Sequence, residues 1–476
     1  MKIIFVEPKS PDLHIYSRIP LPRLGTILLA TILHGQGHDA KVQIEELGRI
    51  NMKEIETADA IGISVLTSTA PRGYEFARLF RQMGKTVFMG GAHASYLPEE
   101  ALLHCDYVLR GEADETIVPF IKALERKDGF EGVDGLSWWR DGVMAHNPNT
   151  AYIKDLDGTP IPDFRLITNG EKGMEVTPIM TSRGCPFDCE FCSVSNMFGR
   201  QFRHKRTERV LMELRLHKEL CRENKVKNTD DWVFFYDDNF TINKNRAKEL
   251  LRAMIKEKLT PHWTAQASVD VADDDELLGL LKESNCYLLY IGFESINPET
   301  LKAYNKKQTV EKIEKSIQKL RQYGIRVHGM FVFGADTDDA SVISRTVAFA
   351  KRNRLHSVQF MVLTPLPGTK TYQELTRQGR ITTRDWHLYD AHHVVFEPAL
   401  FSQRGLQYDT IAAMLSFYGL RHIFKRAFFL LLRLHDLKRG LIEISIKLYG
   451  HRTLNHWFQQ KKEWIASLPD IAKAHK

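Results

Sequence analysis

Thr181-Ser182-Arg183-Gly184-Cys185-Pro186-Phe187-Asp188-Cys189-Glu190-Phe191-Cys192 sets three cysteines at the spacing CxxxCxxC in a loop rich in the turn-forming residues Gly, Pro and Asp. No fourth cysteine lies within reach of that loop, because Cys105, Cys221 and Cys286 are scattered along the chain. Iron–sulfur cubanes are held by thiolates and normally take four of them, so three protein ligands leave one iron open to another molecule. The spacing also allows a zinc site completed by a distant histidine. Six cysteines are too sparse for a disulfide framework in a chain of 476 residues.

With Pro186 after the first cysteine and Phe191 just before the third, the loop resembles that of the radical S-adenosylmethionine (SAM) superfamily. The resemblance implies one [4Fe-4S] cluster on Cys185, Cys189 and Cys192. Its free iron chelates SAM, and an electron from it cleaves SAM to a 5′-deoxyadenosyl radical. No second cluster is expected, since no cysteine follows Cys286.

Hydrophobic residues make up 43% of the chain and charged residues 26%, the proportions of a globular protein, with a modest net charge of +7. The length calls for two or three domains. The apolar start Met1-Lys2-Ile3-Ile4-Phe5-Val6 ends at Glu7-Pro8, too soon for a signal peptide. No run of about 18 uncharged apolar residues offers a membrane span. The expected compartment is the reducing cytoplasm, and no nucleic-acid partner is expected.

The first 150 residues read as a doubly wound α/β domain. Apolar runs at 3–6, 41–44, 60–67, 86–91 and 107–112 alternate with helical patterns at 27–33 and 74–83, which implies a parallel sheet covered on both faces. Ligands of such sheets lie at the carboxyl ends of the strands. No GxGxxG opens the first helix, so a dinucleotide is not supported. Ser64-x-Leu66, Gly90-Gly91-Ala92-His93 and Gly111-Glu112 instead resemble the amino-terminal half of cobalamin-dependent radical SAM enzymes. That resemblance implies cobalamin held by Arg23, Gly25, Ser64, Leu66, Thr67, Gly90, Gly91, His93, Gly111 and Glu112. Asp12-Leu13-His14 matches only part of the DxHxxG that supplies a cobalt ligand in other cobalamin domains. No protein histidine on cobalt is therefore expected.

Residues 151–370 read as a partial (β/α)6 barrel. Strands are expected near 176–180 and at 232–236, 263–268, 287–293, 327–333 and 357–363. Most end in polar residues or glycine, the layout of an active-site rim. By resemblance, Asp237 or Asp238 accepts hydrogen bonds from the SAM ammonium, and Glu294 and Ser295 take its ribose. Gly329, Phe331 and Gly334 let the adenine lie flat, with Phe191 and Leu363 completing the pocket.

Residues 371–476 form a smaller, mainly helical region. Trp386 to His393 is expected to wall the cleft. The adjacent His392 and His393 would point to opposite faces of an extended strand and are read as structural or substrate-lining rather than as a metal pair. Arg421, Lys425, Arg426, Arg433, Lys438 and Arg439 around Ala427-Phe428-Phe429-Leu430-Leu431-Leu432 suggest a basic amphipathic helix that covers the barrel or touches a membrane surface.

The favoured reading is a cobalamin-dependent radical SAM C-methyltransferase served by an electron donor such as flavodoxin or ferredoxin. Its substrate would be a peptide, tetrapyrrole, lipid or natural-product precursor. An anaerobic oxidative cyclase, or another non-methylating radical reaction, remains open beside it. A non-catalytic cobalamin or iron–sulfur sensor would not need the rim residues Asp237, Glu294 and Ser295.

Overall fold

The computed structural model describes residues 1–10, 21–170, 173–223, 231–419 and 437–470. Strands β1 (Lys2–Glu7), β2 (Asp39–Ile44), β3 (Ala60–Ser64), β4 (Thr86–Gly90) and β5 (Tyr107–Leu109) run parallel. Ile3, Ile4, Phe5 and Val6 are all buried, because helices such as Leu24–Gly35 and Ala70–Gln82 leave neither face of the sheet open. Gly62 has no room for a side chain: a Cβ there would stand 2.5 Å from the ring of Phe88.

An antiparallel hairpin that the apolar runs do not announce extends the sheet, β6 (Leu136–Arg140) and β7 (Val143–His146). Its turn is Asp141-Gly142, both at positive φ, as a type I′ turn requires. The order β2-β1-β3-β4-β5-β6-β7 switches direction between β1 and β3, and the crevice at the carboxyl ends there is where such sheets take ligands.

The second sheet holds β8 (Thr177–Ile179), then β11 (Trp232–Phe235), β12 (His262–Ala267), β13 (Cys286–Glu294), β14 (Arg326–Phe333) and β15 (Ser357–Val362), all parallel and in sequential order. A two-stranded ribbon, β9 (Ser182–Arg183) with β10 (Arg203–His204), flanks the cysteine loop. Helices Lys244–Lys256, Asp275–Glu283, Val310–Gln322 and Val342–Arg352 follow successive strands. Trp263, Phe293, Phe331 and Phe360 fill the layer beneath. The architecture is the expected α/β one: a Rossmann-like sheet followed by an open six-stranded partial barrel.

Helix Gln403–Phe417 lies against β15, where the Tyr418 hydroxyl donates to Val358 O at 2.8 Å. Helix Leu437–Ser467 is tied to it through Arg404 Nη2, 2.7 Å from Ala466 O. No described helix is long and apolar enough to cross a membrane. His14 and the basic stretch from Arg421 to Arg433 lie outside the described residues.

Buried charge joins the two sheets. Glu112, just past β5, accepts from Arg203 Nη1 and Nη2 at 2.8 Å and from Ile153 N–H at 2.8 Å. Arg183 lies 3.5 Å from the same carboxylate and 2.8 Å from Asp114. Neutralising one partner leaves the other an uncompensated buried charge, which costs about 3–5 kcal/mol. Glu112→Gln is therefore expected to lower the free energy of unfolding by that amount, read by chemical denaturation. An unchanged denaturation midpoint would show that the strut carries no stability.

Candidate active site

Gly184 opens the cysteine loop at φ +85°, and a Cβ there would lie 2.5 Å from Gln201 O, so only glycine fits. Cys185 N–H donates to Gly199 O at 3.3 Å and Cys192 N–H to Cys189 O at 3.1 Å, which folds the three thiols towards one place. The loop's outer side is braced by cations: Asp188 lies 3.0 Å from Arg200 and 2.9 Å from Lys370, which also reaches Glu190 at 3.2 Å.

Burial pushes all three thiols up, Cys192 to about 12, and the charges of Cys189 and Cys185 add to the effect there. Three such thiolates form together only around a cationic group, whose ligands must be deprotonated. A tetrahedral zinc ion with Zn–S of about 2.3 Å would hold its sulfurs about 3.8 Å apart. Among the described residues only His217, Cys221 and Asp231 bring three ligand atoms within 4.8 Å of one another. The loop cysteines are spread wider than one ion takes, which fits a cluster in which each thiolate meets its own iron.

The paired aspartates after β11 divide their work. Asp237 is wholly buried and accepts from Thr181 N–H (2.6 Å), Ser182 N–H (3.0 Å) and the Ser182 hydroxyl (2.8 Å), with the Thr181 hydroxyl as a fourth donor. Its carboxylate is spent on the backbone and hydroxyls that lead into the cysteine loop, which leaves Asp238 as the member of the expected pair that lines the cavity. Asp238 faces the cavity instead, accepts from Gly184 N–H at 3.3 Å, and is pushed up to about 6 by burial and by Asp237.

Glu294 ends β13 in the left-handed region, φ +61°, where the register against β14 shifts, and its Oε1 lies 2.9 Å from Lys306 Nζ. Ser295 Oγ accepts from Asn297 N–H at 3.0 Å. Phe191 meets Tyr304 edge-on at 4.9 Å. The residues expected to hold the adenine belong to the barrel wall. Phe331 is wholly buried among Phe293, Phe349 and Phe360, towards the helix Val342–Arg352. A Cβ at Gly329 would meet Leu355 at 2.8 Å, and one at Gly334 would meet Leu406 at 2.8 Å. Leu363 is buried in the same core. These positions pack the barrel wall; like Cys185, Cys189, Cys192, Glu294 and Ser295, they lie outside the lining of the cavity between the sheets.

That cavity has a volume of about 380 Å³ and opens to solvent. Arg23, Gly25, Ser64, Leu66, Gly90, Gly91, Gly111 and Glu112 line it from the first sheet. Met180, Ser182, Arg183, Tyr236, Asp238 and Gln266 line it from the barrel mouth. Gly91 sits at φ +90° with a Cβ position 2.5 Å from Val65 O, so only glycine lets the chain pass this close to the end of β3 at the cavity's edge.

Two expected contacts point elsewhere. His93 is fully buried, with Nε2 3.0 Å from the Tyr74 hydroxyl and 3.4 Å from Glu100. Thr67 starts a buried turn and does not line the cavity. Trp386 donates Nε1–H to Glu100 at 2.8 Å, so its segment braces the first sheet and is not the cavity wall. His393 is structural: its Nδ1 is 2.9 Å from Asp390 and its ring meets Trp457 and Trp464. Lys306, paired with Glu294, is a residue that no local motif marks.

The two aspartates give opposite expectations. Asp237→Ala strands four donors and should cost at least about 3 kcal/mol in unfolding free energy. Asp238→Asn should keep the wild-type unfolding midpoint while weakening SAM binding, read by equilibrium dialysis. The reverse pattern would exchange their roles.

Residues 179–344 match the radical SAM superfamily model and residues 18–121 the B12 binding domain model. The chain is 32% identical over 381 residues to bacteriochlorophyllide d C-8(2)-methyltransferase of Chlorobaculum tepidum, covering 78% of this chain and 80% of that protein. It is 30% identical over 402 residues to the C-12(1)-methyltransferase of the same organism, covering 83% of each. It is also 27% identical over 420 residues to the anaerobic magnesium-protoporphyrin IX monomethyl ester cyclase of a Synechocystis species, covering 83% of this chain and 81% of that one. Among solved structures, the cobalamin-dependent SAM radical enzyme OxsB with aqua-cobalamin bound shares the fold, with a TM-score of 0.71 at 15% identity over 99% of this chain and 82% of that one. The chain belongs to the radical SAM superfamily, among its members with a B12-binding domain, and its cofactors are a [4Fe-4S] cluster, SAM and cobalamin.

Proposed function

We propose that this chain is a cobalamin-dependent radical SAM C-methyltransferase acting on an unactivated carbon. One observation carries the reading: the carboxyl ends of the first sheet and the mouth of the barrel open into a single cavity. Reacting groups must approach to roughly 3–3.5 Å in a productive pose, so two cofactors that serve one substrate carbon need such a shared chamber. When bound, the cluster supplies the electron that splits SAM, and cobalamin supplies the methyl group.

The chain's own residues hold, orient and shield. We assign Cys185, Cys189 and Cys192 to the cluster. Ser64, Leu66, Gly90, Gly91 and Gly111 are assigned to the cobalamin face, with Arg23 fixed by Glu7 at 3.0 Å. Asp238, Glu294 and Ser295 are assigned to SAM. Leu66, Met180, Met197 and Phe198 line the cavity with apolar surface, which keeps water from the reacting centre and suits an apolar substrate. Domain limits at about residues 150 and 370 are supported by the ends of β7 at His146 and β15 at Val362. A low-potential one-electron donor of the flavodoxin or ferredoxin kind is the redox partner, and a reducing cytoplasm the compartment, both supported by the oxygen sensitivity of such clusters.

The similarity to a cyclase favours a second reading in which cobalamin gives up no methyl group. Product stoichiometry separates the two. Methyl transfer should yield S-adenosylhomocysteine and 5′-deoxyadenosine in comparable amounts per methylated product, whereas deoxyadenosine with an unmethylated product would establish the cyclase-like course. Gly91→Val, which drives a side chain into Val65 O, should abolish cobalamin retention on gel filtration while iron content stays at the wild-type level. Retained cobalamin would remove Gly91 from the site.

A further inference from the structure

Three consecutive side chains lay the end of helix Pro298–Ala303 across the cysteine loop. Tyr304 meets the ring of Phe191 at 4.9 Å, Asn305 donates Nδ2–H to Asp188 O at 3.1 Å, and Lys306 Nζ lies 2.9 Å from Glu294 Oε1. Asn305 takes the left-handed conformation, φ +55°, which asparagine tolerates better than most residues and which bends the chain at this crossing. The Lys306 side chain is 22% exposed and that of Glu294 8%, so both charges sit largely out of water.

A buried ammonium needs compensation, and Glu294 is not its only neighbour. Lys306 directly follows Tyr304, which meets Phe191 beside Cys192, and Asn305, which is bonded to Asp188 beside Cys189, so its charge is carried on the segment laid against the cysteine loop.

We propose that Lys306 is a positioning residue that acts through its charge, fixing Glu294 at the barrel rim and raising the reduction potential of the cluster held by Cys185, Cys189 and Cys192. The proposal rests on those cysteines being the cluster ligands. Reduction places one additional electron, delivered by an external low-potential donor, on the cluster. A cation held nearby in low dielectric stabilises the reduced form more than the oxidised one. Because Glu294 carries the opposite charge at the same place, the pair contains its own sign control.

The test uses full-length protein reconstituted without oxygen, with iron content measured first and the midpoint potential then read by redox titration followed by electron paramagnetic resonance. Lys306→Gln is expected to shift the midpoint negative and Glu294→Gln to shift it positive, while Lys306→Arg holds the wild-type value. Unmoved midpoints in both neutral variants, or shifts of one sign, overturn the proposal. If Lys306→Gln fails to hold a cluster, Glu294→Gln must still shift positive and Lys306→Arg must still match the wild type. Wild-type protein that takes up no cluster would defeat the ligand assignment itself, whereas a full complement of iron with unmoved potentials defeats only the role of Lys306.

Discussion

A carboxylate taken out of water must find its cation, and Glu112 finds two on the ribbon beside the cysteine loop. The Glu112–Arg203 pair, with Arg183 and Asp114 beside it, crosses from the end of β5 to the ribbon that carries the cysteine loop. Such a pair stabilises little by itself, because desolvation nearly offsets the attraction. Its value is in direction. Guanidinium and carboxylate meet in a planar fork, so the pairing fixes the angle between the sheets as well as their distance. The crevice of the first sheet consequently opens onto the barrel mouth, and every assignment across the cavity depends on that orientation.

Around this frame, small residues and spent carboxylates do the local shaping. Gly62, Gly91 and Gly184 stand where a Cβ would strike a neighbouring ring or carbonyl at about 2.5 Å, so the chain can approach itself closely at these three points. Asp237 surrenders its lone pairs to Thr181 and Ser182 and sets the backbone into the loop, which frees Asp238 to face the cavity.

What the sequence discloses follows the range of the interactions involved. Alternation of apolar runs with helical periods depends on neighbours a few residues apart, and it places the five parallel strands of the first sheet and the six of the barrel. The CxxxCxxC loop is legible because its ligands are local. The hairpin of β6 and β7 escapes that alternation, although Asp141-Gly142 signals its turn. Contacts set by facing are not legible: strand period alone does not say whether Phe331 looks into the barrel or at its helices. Likewise nothing near His93 tells that Tyr74 and Glu100 draw it inward, away from the cavity. Lys306 lies over a hundred residues from the cysteines it influences, and only the fold brings them together.

The hydrogen bond from Trp386 to Glu100 has a topological consequence. The first sheet is bound to the barrel on one side through Glu112 and Arg203, and on another through the segment that leaves the barrel's last strand. Together the two attachments tie the first sheet to the rest of the chain at two separate places, like a clasp fastened at both ends. Drawing the first sheet away from the barrel would break both attachments, so the two parts of the chain are held as one frame rather than as halves free to swing.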